Sequence, residues 1–80
     1  MGRYEDDMWE KLMAYLPGLT GDIYYNIRKS GKNPRYPTVF KLVKEDLLRK
    51  GIDYKKLDED AKYDIEDMVR DTFYGIKEGE

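Results

Sequence analysis

The sequence predicts an all-α fold, a small bundle of three to four helices at approximately 7–16, 21–30, 38–50 and 58–74. Three observations carry this expectation. Apolar residues recur at spacings of three and four along most of the chain. Residues that start and stop helices punctuate it at short intervals. No stretch sustains the period-two alternation and β-branched enrichment of a strand.

The first helix is expected to start at Asp6 or Asp7, where a carboxylate can cap free N–H groups and suit the positive helix end. Met8, Trp9, Leu12, Met13 and Leu16 form its apolar stripe, with Trp9 as a core anchor. Pro17 and Gly18 are expected to stop it. Leu-Thr-Gly-Asp at 19–22 reads as a second start, with Thr20 as N-cap and Leu19 and Tyr24 as a hydrophobic staple. Ile23 and Ile27 share the inner face of that helix. Gly31 supplies its left-handed cap.

Residues 32–37 form a loop, because Pro34 and Pro37 lack amide donors and bias their predecessors towards extended shapes. Thr38 is expected to cap the next helix, which buries Val39, Phe40, Val43, Leu47 and Leu48 and carries Leu42 on its flank. Gly51 ends it, with Ile52 folding back in a Schellman arrangement. Residues 53–57 make a tight connection or a single helical turn. Asp58 caps the last helix, whose stripe is Ala61, Ile65, Met68, Val69, Thr72, Phe73 and Ile76. Gly75 marks expected fraying. Residues 1–80 therefore form one domain with frayed ends at 1–5 and 76–80.

Composition narrows the function. The chain has no cysteine and no histidine, which removes disulfides, thiolate metal sites, the commonest general base and the commonest metal ligand. Ser30 has no evident base beside it, and Gly31-Lys32 lacks the rest of a phosphate-binding loop. The expectation is a protein that is not an enzyme and needs no cofactor. No run approaches the ~18 apolar residues of a membrane span, so a cytoplasmic protein with no membrane partner is expected.

The net charge of −2 conceals three blocks. Residues 1–22 carry −3, residues 23–52 carry +6 and residues 53–80 carry −5. Such asymmetry concerns partners and self-association rather than fold. Between Ile27 and Lys44 lie Arg28, Lys29, Lys32, Arg35, Lys41 and Lys44, without one acid. Phosphate backbones need several cations on one surface, and unstacked bases need aromatic faces. These six residues are candidate nucleic-acid contacts, with Tyr25 and Tyr36 as candidate stacking groups. Tyr36 reads first as a lid on the core and otherwise as an exposed contact residue.

A second feature is an acidic strip. Asp60, Asp64, Asp67 and Asp71 are spaced four, three and four, within roughly 60° of one helix face. Their mutual repulsion, a few tenths of a kcal/mol per pair, calls for cationic company. The basic segment of the same chain, a second copy or a foreign protein could supply it. One straight helix face rarely wraps a metal ion, and none is expected. A third feature is the helix-turn-helix spacing of Leu47, Gly51, Ile52, Leu57 and Ala61. Its recognition helix would lead with Asp58, Glu59 and Asp60, which a polyanion repels.

The function these observations predict is a non-catalytic helical binding module that contacts nucleic acid through the basic, tyrosine-rich segment 24–44. The alternative is a protein-interaction module, a small regulator or inhibitor and possible homo-oligomer, that docks through the acidic strip and the basic segment.

Overall fold

A computed structural model describes residues 6–80, apart from the side chain of Asp6, so the expected fraying of residues 1–5 lies outside the described residues. Three α-helices follow one another: α1 (Asp6–Lys29), α2 (Tyr36–Arg49) and α3 (Glu59–Gly79), with a single 3-10 turn at Tyr54–Lys56 before α3. The described residues contain no strand. The all-α bundle is therefore as the sequence indicates. None of the helices is long and apolar enough to cross a membrane. The bundle is elongated, 42 × 22 × 19 Å.

The two helices expected on either side of Pro17 are one. Pro17 removes an N–H from the interior of α1, which ordinarily costs about 3 kcal/mol. Packing outweighs that cost. Leu12, Leu16, Thr20 and Tyr24, spaced four apart across the proline, are all buried along α1. Burying a large apolar side chain contributes about 1.5–3 kcal/mol, so a break that turned either half outward would lose more than the proline costs. Thr20 is therefore a mid-helix core residue and not an N-cap; its hydroxyl is buried without a partner. Tyr24 lies in the core rather than in a staple with Leu19.

α2 starts two residues before the expected Thr38. Arg35 occupies the cap position with extended backbone, and Pro37 falls in the first turn, where a missing N–H costs nothing. The glycine ends are as the sequence indicates. Gly31 (φ +87°) and Gly51 (φ +91°) take the left-handed conformation that L side chains resist. Lys32 N–H donates to Ile27 O (3.3 Å) and Ile52 N–H to Leu47 O (2.8 Å), the long bonds of two Schellman motifs. Asp58 accepts from the Ala61 N–H at 2.8 Å and caps α3. α3 runs through Gly75 to Gly79, so the expected fraying of 76–80 is not seen. A tether explains this: the Glu80 carboxylate accepts from the Tyr24 hydroxyl (2.7 Å) and pairs with Arg28.

The core joins Leu12, Leu16 and Tyr24 of α1, Val39, Val43 and Leu47 of α2, and Ala61, Ile65, Val69 and Phe73 of α3, with Leu57 closing one end. Met8 and Leu48, expected inside, are more than half exposed. The helix-turn-helix spacing does not yield that motif. Nine residues separate α2 from α3 and hold their own helical turn, where the motif needs a turn of about 3–4 residues.

Tyr36 is a lid. Its ring stacks on Phe40 (5.7 Å) and Tyr74 (6.1 Å) and meets Phe73 edge-on. Its hydroxyl is buried without a partner, and burial, helped by the charge of Glu66, pushes it up from 10 to about 12. The folded chain thus holds this proton more tightly than the unfolded chain. The associated stability is intact below pH 10 and is lost as pH rises through about 12. Tyr36→Phe should raise neutral-pH stability by about 1 kcal/mol, by removing an unsatisfied hydroxyl. It should also flatten the alkaline loss, read from urea midpoints at about pH 8 and about pH 11. A variant as alkali-sensitive as the parent would contradict this.

Candidate interaction surface

The six basic candidates do not converge. The proline-rich connection carries the chain from α1 to α2 in extended form, buries Pro34 and leaves Lys32 and Arg35 exposed. Both line a groove of about 600 Å³ between α1 and α2. Lys41 and Lys44 line a different groove of about 270 Å³, on another side of α2. The Lys44 ammonium is already engaged, 4.7 Å from the centre of the Phe40 ring and 5.4 Å from that of Tyr54. Arg28 is tied to Glu80 at the C-terminal end of α3, and this pairing holds the Glu80 carboxyl below its usual range. Lys29 and Tyr25 lie one turn apart on the outer face of α1, roughly 180° from Ile27 and Ile23.

The two stacking candidates differ in the same way. Tyr25 is half exposed and meets the Tyr24 ring in a T-shaped contact (5.5 Å). Tyr36 is half-buried and already stacks on two neighbouring rings, Phe40 and Tyr74.

Asp60 and Asp71 are exposed and Asp64 and Asp67 half exposed, on an outer side of α3. Asp67 pairs with Arg70 of the same helix at 3.2 Å. Lys62–Glu59 and Arg70–Glu66 are likewise pairs within α3. Among the described residues, no ion pair joins the strip to the basic segment, and Lys29, Lys32, Arg35 and Lys41 have no ion pair at all. No group of three or more acidic side chains among them converges on a point where a cation would sit.

Two features went unread in the sequence. Lys55, on the 3-10 turn, joins Lys41 and Lys44 around the exposed Leu48. Its signal was its place four residues after Gly51, where the chain must double back. The second is the floor of the larger groove. Leu19, Ile23, Ile27 and Leu42 are half-buried there, and the first three pack beside the core rather than within it. The available signal was angular. Leu19, Ile23 and Ile27 are centred roughly 80° round the helix from Thr20 and Tyr24, so the second half of α1 has more apolar width than one partner helix covers. Leu42, off the main stripe of α2, is its counterpart.

The far end of that groove is braced. Tyr15 donates to Asp46 (2.7 Å), which also receives Arg49 (3.5 Å) and Lys50 (3.9 Å), and the Lys50 ammonium lies 5.2 Å from the centre of the Tyr15 ring. The bond to Asp46 raises the Tyr15 hydroxyl above its ordinary value.

The surface can therefore do three things chemically. It can attract anions weakly at several separate places, cover an apolar side chain in the larger groove, and attract cations along α3. Compared with known proteins, the chain matches no family model, no curated protein and no solved structure.

Proposed function

We infer that the chain is a non-catalytic helical module that binds another protein. The observation that carries this reading is the dispersal of the basic segment: folding divides Lys32 and Arg35 from Lys41 and Lys44, ties Arg28 to Glu80, and leaves Lys29 on an outer face. A polyanion contact draws on several cations along one surface, and no such row forms here. An open groove with an apolar floor and a rim of both charge signs suits a polypeptide better. The absence of histidine and cysteine supports a non-catalytic role, and the lack of cysteine suits the reducing cytoplasm.

A second reading keeps nucleic acid as the partner. It is favoured by the four basic side chains that lack an ion pair among the described residues, Lys29, Lys32, Arg35 and Lys41. Fluorescence anisotropy with labelled DNA and RNA of about 20 nucleotides separates the two. The protein-binding reading expects no saturable binding at about 50 mM salt. Binding that falls about tenfold or more by about 200 mM, and vanishes when Arg28, Lys29 and Lys32 are all changed to Ala, overturns it.

A further inference from the structure

The groove between α1 and α2 has a direction. Its apolar floor, Leu19, Ile23, Ile27 and Leu42, lies alongside residues 19–29 of α1, a length of about 15 Å or three helical turns. One end is electropositive. Lys32 and Arg35 stand there without ion pairs among the described residues. The first turn of α2 opens at the same end, with no side-chain cap and no acidic residue. The first turn of α3, by contrast, holds Glu59 and Asp60 behind the Asp58 cap. The other end carries Glu45 and Asp46 with Arg49. An apolar trough with a cationic end and a mixed, partly acidic end is complementary to a ligand that is itself amphipathic and charged at one end.

We propose that this groove receives an amphipathic helix of another protein, with apolar residues every three or four positions facing the floor and carboxylates over Lys32 and Arg35. The proposal rests on the protein-binding reading above. A fourth helix laid here would pack on α1 and α2 at the usual helix spacing and finish covering the wide apolar sector of α1. A second copy of the chain fits less well. Its acid-rich helix α3 has its apolar stripe, Ala61, Ile65, Val69 and Phe73, buried in its own core, so it would bring carboxylates with no apolar face. A small organic carboxylate could reach Lys32 and Arg35 but would leave most of the three-turn floor uncovered.

The test is an NMR titration of the full chain with a synthetic helical peptide of about 14 residues, carrying Leu at helical spacing on one face and two Glu at its C-terminal end. A twin peptide carries Lys in place of Glu. The expected result is a set of shift changes confined to Ile23, Ile27, Leu42 and their neighbours, with the Glu peptide bound about tenfold or more tightly than the Lys peptide. The double variant Lys32→Glu/Arg35→Glu, at two exposed positions, should keep the fold and reverse that preference. No shifts, shifts around Lys41 and Leu48 instead, or equal affinity for both peptides overturns the proposal. Octanoate producing the same shifts would assign the groove to small carboxylates and overturn it too. So would a dimer, detected by sedimentation, that dissociates in the double variant. These outcomes leave the protein-binding reading standing unless the anisotropy experiment shows salt-sensitive nucleic-acid binding, which removes both.

Discussion

Replacing Phe73 by alanine is expected to remove about a quarter or more of the protein's folding stability. Phe73 is 2% exposed and sits where all three helices meet. Its ring takes the edge or face of Tyr24 (5.5 Å), Tyr36 (5.9 Å) and Tyr74 (4.9 Å), and the Lys77 ammonium lies 5.8 Å from its centre. Phe→Ala in a core costs about 3–5 kcal/mol, transfer and cavity together. A chain of this length has about 4–12 kcal/mol of stability in total. Thermal melts followed by circular dichroism should show a fall of roughly 15–30 °C. Tyr74→Ala is the control, because Tyr74 is half exposed beside the same ring; it should cost about 1 kcal/mol or less. Equal losses for the two variants would mean that Phe73 does not centre the core.

Replacing Pro17 by alanine is expected to stabilise. The substitution restores an N–H inside α1 that can donate to Met13 O and removes a residue costing about 3 kcal/mol in a helix interior. Against this stand the packing of a half-buried ring and the loss of proline's stiffening of the unfolded chain, about 0.4–1 kcal/mol. A net gain of about 1–2 kcal/mol follows, or roughly 4–16 °C in melting temperature. Thr20→Val, one turn on, should add about 1 kcal/mol by putting a methyl where a buried hydroxyl has no partner. The two sites are close enough to couple, so the double variant need not be additive. If Pro17→Ala instead lowers the melting temperature, the proline is packing against the core and the account of α1 as a helix held against its sequence fails.

Much of the fold was legible. Gly31, Gly51 and Asp58 mark helix ends through conformations and bonds set within a few residues, so their signals survive in any packing. The stripe Ala61–Ile65–Val69–Phe73 was readable because α3 has no strong local breaker in its buried turns. Pro17 misled because its local penalty, though real, is smaller than the burial of the four side chains that line up across it. Thr38 misled because a proline in the first turn fixes an earlier start.

The candidate site was legible as composition and illegible as geometry. Six cations within eighteen residues are plain in the sequence. Which of them share a surface depends on the angle at which each leaves its helix and on the direction the chain takes after Gly31. Neither is a property of a short window. Lys55 and Leu42 were missed for the same reason: each gains its role only from what lies across a groove.

The sequence alone determined the class of the fold, the places where helices end on glycine and start on aspartate, the division of charge into blocks, and the lack of histidine and cysteine. Each of these is set by residue type or by spacing within a few turns. Only the tertiary structure decided that α1 is continuous, that Arg28 belongs to Glu80, that the acidic strip of α3 stays unpaired with the basic segment, and that an apolar groove is left open between α1 and α2. Those outcomes depend on which helix faces meet, and that is fixed by burial summed over the whole core rather than by any one stretch of chain.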